Sequence, residues 1–207
     1  MKKFSANFIS IILIPLFAPT YLFGIILYYF PNLTSIVNLS DKLEAIAYIF
    51  GATTILPFVF VFILFRLKKI STLTLDDKKD RTIPQLFSCI NYTVVSLSMV
   101  YKLGINDALT LSMIAVTISL IAITITTRYW KISTHTSGIA GIFAIATVLY
   151  LKYPSDAFFI PYLILLSLTV FVCIARLHLK VHTLAQILCG CLLGGSFGFL
   201  LFYFHYY

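Results

Sequence analysis

The sequence predicts an all-α fold, a polytopic transmembrane helical bundle of about seven spans, and three observations lead there. The first is composition. Of the 207 residues, 60% are hydrophobic and only 11% are charged, with a mean hydropathy of +1.00. Soluble domains carry about 25% charged residues. So few charges cannot clothe a water-facing surface, whereas hydrocarbon solvates an apolar exterior. The second is length: charges cut the chain into apolar segments close to the roughly 20 residues that cross about 30 Å of hydrocarbon as a helix. The third is that Lys and Arg gather in alternate connections. No sustained alternation of apolar and polar residues suggests a barrel.

The predicted spans are 8–30, 45–66, 84–101, 108–127, 137–151, 158–175 and 184–204. Met1-Lys2-Lys3 opens the chain like a signal peptide, but the uncharged run Phe4–Ser40 is 37 residues long, without a clear cleavage site, and reads as a span that stays. The fifth span is short; it lies nearly upright or starts a turn earlier in a partly wet site. Backbone groups in lipid must bond internally, so each run is expected to be helical despite its Val, Ile and Phe content. Pro84 and Pro161 suit helix starts and Pro31 and Pro154 suit loops, while Pro57 falls inside the second span and predicts a kink. Asp107 and Asp156 are candidate caps for the fourth and sixth helices. Asn91, buried in the third span, predicts a helix-to-helix hydrogen bond. Gly190, Gly194, Gly195 and Gly198 read as small-residue packing positions on the last span, and Gly138 and Gly141 allow close approach on the fifth. Cys89, Cys173, Cys189 and Cys191 read as small apolar packing residues, and Cys189-Gly190-Cys191 is not a CxxC pair. Internal repeats are absent, and residues 1–207 read as a single membrane domain.

Seven spans put the N-terminus and residues 67–83, 128–136 and 176–183 on one face. That face takes 12 of the 15 Lys and Arg, leaving Lys42, Lys102 and Lys152 to the other. The bias predicts that this face is cytoplasmic. Nothing in the net charge of +8 implies nucleic acid, because the cations sit at span ends.

Three polar clusters fall on that same face: Lys78-Lys79-Asp80-Arg81-Thr82-Ile83-Pro84, Lys131-Ile132-Ser133-Thr134-His135, and Arg176 to His182 followed by Gln186. They hold three of the chain's four histidines; His205 falls on the other face. The combination suits an oxyanion. Arginines hold phosphate oxygens bidentately and do not titrate in the useful range. Ser133 and Thr134 add hydroxyl donors, and the amides at the start of the fifth helix add more. Two histidines can divide nucleophilic attack and proton transfer, and a histidine near its ordinary pKa holds either state at neutral pH. His182 and Gln186 are four apart, the spacing of one helix face, so the amide can orient the imidazole. Arg176 and Lys180 also suit snorkelling to headgroups, as do Lys131 and His178. The only carboxylates on this face are Asp76, Asp77 and Asp80, which make no metal cage, so no metal or other cofactor is expected.

These clusters resemble the type 2 phosphatidic acid phosphatase superfamily, in a short form similar to those of Bacteroidetes bacteria. The superfamily's third motif, Ser-Arg-x5-His-x3-Asp, is matched by Ala175-Arg176-x5-His182-x3-Gln186. Its second, Pro-Ser-Gly-His, is matched by Ile132-Ser133-Thr134-His135 at the serine and histidine. Its first, Lys-x6-Arg-Pro, is met only by Lys78, Lys79 and Arg81 ahead of Pro84. Pro15-Leu16-Phe17-Ala18-Pro19-Thr20-Tyr21 also resembles the short bacterial form, and the motif-bearing region runs from 78 to 190. The resemblance implies His182 as a nucleophile that forms a phosphohistidine and His135 as general acid for the lipid leaving group. It implies Arg176 as a phosphate clamp aided by Ser133, with Arg81 as the first-motif cation. Gln186 stands where the superfamily has Asp. An amide can fix the imidazole tautomer through its carbonyl but brings no charge to a cationic ring; loss of the carboxylate from a serine-protease triad costs about 10⁴ in rate.

The expected function is metal-independent hydrolysis of a membrane lipid phosphate, with that lipid and the bilayer as partners. The alternative is a weakened relative that binds a lipid headgroup or transfers a phospho-group. A transporter is disfavoured, because transporters commonly place ionisable residues at mid-membrane and these spans are nearly free of them. The expected location is a bacterial inner membrane. Charge bias puts the site in the cytoplasm, whereas many members of the resembled superfamily act on the outer leaflet.

Overall fold

The computed structural model describes residues 15–73, 75 and 78–207. Among them it is helical throughout, with no strand. A 3-10 turn at Pro15–Phe17 leads into α1 (Ala18–Tyr29). α2 (Leu39–Phe50) runs through a π turn (Gly51–Ile55) into α3 (Leu56–Arg66). Then follow α4 (Lys78–Leu103), α5 (Ala108–Tyr129), α6 (Thr134–Lys152), α7 (Asp156–His178) and α8 (Leu184–Tyr206). Six helical stretches are long and apolar enough to cross a membrane, with α2 and α3 counting as one stretch of 28 residues; Pro15–Tyr29 is a shorter apolar helix. The rest of the predicted first span, 8–14, lies outside the described residues.

Several helix boundaries differ from expectation. α6 begins at Thr134, the earlier turn foreseen for the short fifth span. α4 begins at Lys78, so Pro84 sits inside it rather than at its start. The added turn is polar, and its Asp80 carboxylate accepts the Ser71 amide at 2.8 Å. Pro161 likewise lies inside α7. Asp107 caps α5 as expected, its Oδ1 accepting Leu109 N at 2.9 Å, and its Oδ2 accepts Ser35 N at 2.6 Å. Asp156 does not cap α7; Ser155 holds the N-cap position without a side-chain bond, and Asp156 is the first helical residue.

The Pro57 disturbance is a π turn, and its physical cause is visible. Proline has no amide proton for the Thr53 carbonyl one turn earlier. Leu56 N reaches back to Gly51 O, which releases the Ala52 carbonyl as well. In lipid both must be bonded. Asn91 Nδ2 donates to Ala52 O at 2.7 Å, and the Tyr92 hydroxyl donates to Thr53 O at 3.0 Å. Asn91 is therefore the inter-helix bond foreseen, with Tyr92 as its unforeseen partner.

α6 is the central helix, with Ala146 and Leu149 fully buried. Its most extensive contact is with α8, and glycine makes that contact possible. A Cβ on Gly190 would lie 2.5 Å from Ser133 O, and one on Gly198 would lie 3.1 Å from Gly141 O; Gly194 is pressed still closer against Ser137. Backbones this near are the small-residue packing of membrane helices. Gly195, on another side of α8, has only ordinary contacts, the nearest at 3.7 Å.

Candidate active site

Two of the connections that parity assigned to one face meet through the backbone. Ser133 N donates to Gln186 O at 3.3 Å, and the Thr136 hydroxyl bridges Ser133 O at 3.0 Å and Ile187 O at 3.2 Å. The N-termini of α6 and α8 are thereby held side by side. Ser133 is the N-cap of α6, its Oγ accepting Thr136 N at 3.4 Å, and it is wholly buried. His135 follows on the first turn of α6, half-buried.

Arg81, on the first turn of α4, ties the third connection to this pair. Its Nε donates to Leu75 O at 2.7 Å and its Nη1 to Ile132 O at 3.4 Å. Arg81 as a whole is only 7% exposed. Arg176, near the end of α7, is 8% exposed. Beyond it Leu179 N closes on Ala175 O and Lys180 N on Leu177 O, both at 3.0 Å. Lys180 takes a left-handed φ of 55°, a conformation that costs a non-glycine residue about 1 kcal/mol or more. The chain turns there and delivers His182 to the bundle.

His182 is 5% exposed, and its Nδ1 is buried without a hydrogen-bond partner among the described residues. Burial, then the charges of Arg176, Arg81 and Lys131, pull its pKa from 6.5 down to about 4, against a smaller opposite effect of Gln186. Desolvation and nearby cations both disfavour the protonated ring. The imidazole is therefore neutral at pH 7, with a lone pair available, and does not sit in the either-state range expected from an ordinary histidine.

Gln186 keeps the side-chain hydrogen bond to His182 that the spacing suggested, but by a different route. His182 precedes α8 rather than lying on it, so the two do not share a helical face. Thr183 is the N-cap, and with Gln186 it forms a capping box: Thr183 Oγ1 accepts Gln186 N at 3.4 Å and Gln186 Oε1 accepts Thr183 N at 3.0 Å. Such reciprocal bonds start helices efficiently, and here they start α8 one residue after His182. Gln186 Oε1 is thus partly engaged by backbone.

The structure brings Arg81, Arg176 and His182 into one electrostatic unit and sets Ser133 and Gln186 at its seam. Lys131, read from sequence as a headgroup anchor, belongs to the unit through its effect on His182. Its only sequence signal was its place two residues before Ser133. His178 and Lys79 are exposed, and His205 lies toward the far end of α8. No group of three or more His, Cys, Asp or Glu suited to a metal occurs among the described residues. A neutral imidazole ringed by fixed cations can bind an oxyanion and attack its central atom.

The family model described as PAP2 superfamily matches residues 18–207. No curated protein and no solved structure matches the chain.

Proposed function

The chain belongs to the PAP2 superfamily, whose members are generally phosphatases, and from that premise we propose that it hydrolyses a membrane lipid phosphate through a phosphohistidine on His182, without a metal ion. The carrying observation is the buried His182 ring kept neutral beside Arg176, Arg81 and Lys131. The three cations hold the phosphoryl oxygens and offset charge that develops in the transition state. A ring nitrogen of His182 attacks phosphorus, a P–N bond forms, and the bond to the lipid oxygen breaks. His135 gives that oxygen its proton. Water then attacks the phosphohistidine, His135 accepts the water's proton, the P–N bond breaks, and inorganic phosphate leaves. Ser133 and the Thr183–Gln186 capping box position the two helix starts.

A lipid substrate fits a site made from span ends, where a headgroup meets protein and a tail stays in the bilayer. The cation excess on this face favours a cytoplasmic leaflet and an inner membrane. A second reading, a weakened relative that binds a headgroup or transfers a phospho-group, is favoured by Gln186, whose oxygen serves the Thr183 amide.

The test is phosphate release by purified protein in detergent with a chelator present. Substrates are phosphatidic acid, phosphatidylglycerol phosphate, a polyprenyl pyrophosphate and a lipid A phosphate. Release from at least one, lost in His182→Ala, is the expected result. Folded protein inactive across the panel moves the conclusion to the second reading, and release undiminished in His182→Ala overturns the mechanism.

A further inference from the structure

Below the site, Cys173 of α7 and Cys191 of α8 bring their Sγ atoms to 3.7 Å. Both are free and half-buried. They lie on the two helices joined by the His182 loop, Cys173 five residues before the end of α7 and Cys191 seven after the start of α8. At 1.5 Å per residue this places them about 8–10 Å inside the helix ends. The other cysteines are not part of this contact; Cys89 meets Thr124 at 3.3 Å instead. Two thiols thus face each other within the bundle. A disulfide needs about 2.05 Å between sulfurs, so side-chain rotation and a small helix shift close the gap.

We propose that Cys173 and Cys191 are an oxidisable dithiol, converted by a lipid hydroperoxide to a disulfide that arrests the His182 loop. The oxidant class follows from depth, since thiols within the spans meet oxidants that dissolve in the bilayer. One sulfur attacks the terminal peroxide oxygen, the O–O bond breaks, and the lipid alcohol departs, leaving a sulfenic acid. The second sulfur attacks the first, the S–O bond breaks, and water departs. Two thiols and one hydroperoxide thus give one disulfide, one alcohol and one water; sulfur loses two electrons and the peroxide gains them.

The new bond closes a ring from 173 to 191 that contains Arg176, His182 and Gln186. Arg176 sits three residues from Cys173, so drawing the sulfurs together moves the clamp relative to the nucleophile. Misplacement by about 1 Å costs on the order of 10² in rate. The arrest rests on His182 being the nucleophile; the disulfide itself does not.

Purified protein is treated with cumene hydroperoxide, then digested without reductant. The expected product is one cross-linked peptide pair joining Cys173 and Cys191, short of two hydrogens. Phosphate release should fall at least about tenfold and return with dithiothreitol. Cys173→Ser and Cys191→Ser should each keep basal release and lose this sensitivity. Absence of the cross-link overturns the proposal, and a cross-link with unchanged release overturns the arrest. Reduced protein with no release at all counts against the phosphatase reading, while the cross-link alone still decides the dithiol.

Discussion

Adding one methyl group at Gly190 probes how tightly the two helix starts are held. A Cβ there lies 2.5 Å from Ser133 O and 2.6 Å from Thr136 Oγ1, and ordinary contact begins near 3.4 Å. The hydroxyl can rotate away, but the carbonyl belongs to backbone. α6 and α8 must therefore part by about 0.9 Å at this point. That opening falls on the bond from Ser133 N to Gln186 O, already 3.3 Å long, and breaks it. Overpacking and the lost bond together cost about 2–4 kcal/mol. The same shift moves the helix start that carries Ser133 away from the one that follows His182, which should lower kcat by about 10-fold to 100-fold. Thermal unfolding of the detergent-solubilised protein, followed by a thiol-reactive dye, reads the first effect; phosphate release reads the second. Gly195→Ala is the control, because its Cβ meets nothing closer than 3.7 Å. Equal stability and rate in Gly190→Ala and Gly195→Ala would mean that the Gly190 contact does not hold the two helix starts together.

The acid limb of kcat/KM should fall near pH 4, because the neutral His182 ring persists down to about 4; a limb at 6.5 in the wild type contradicts this assignment. Lys131→Met removes one of the depressing charges and should move that limb upward, and an unmoved limb excludes Lys131 from the site. Stability follows the same group: between pH 6.5 and about 4 the unfolded histidine takes a proton that the folded one refuses, so the folded state loses stability as pH falls through that window. The melting temperature of the wild type should drop relative to that of His182→Gln as pH falls from 6.5 to about 4; a constant difference across the window contradicts it. Asn91→Leu leaves the Ala52 carbonyl without its partner and should cost about 1–3 kcal/mol while leaving KM unchanged; a shifted KM would tie the π turn to the substrate. Gln186→Glu keeps an acceptor for Thr183 N and places a carboxylate beside the ring, so the acid limb should rise; no rise would separate residue 186 from His182.

Much of the architecture was legible because the bilayer limits the choices. Span length and cation parity identified the face that gathers Arg81, Ser133, Arg176 and His182, and the glycine rows announced close packing of α6 on α8. Helix starts were harder. The spacing of His182 and Gln186 suggested one helical face, while the Thr183-x-x-Gln186 capping box moved the start of α8 past the histidine. That box was itself written in the sequence, in competition with the i to i+4 rule. Pro57 announced a disturbance, but its form as a π turn depends on Asn91 and Tyr92 reaching over from α4, a tertiary fact no local pattern contains. Lys131 was missed for a related reason. A lysine at a span end reads as a headgroup anchor until Arg81 and His182 are known to lie beside it.

The covalent intermediate is the most direct test of the mechanism. Protein in lipid-detergent micelles is mixed with a short-chain phosphatidic acid, quenched in alkali within the first turnovers and digested, and its peptides are weighed. A phosphoryl group, acid-labile and stable to alkali, is expected on the peptide carrying His182 and absent from His182→Ala. Turnover with no phosphoryl adduct on that peptide, or with an adduct on His135 instead, would contradict that mechanism.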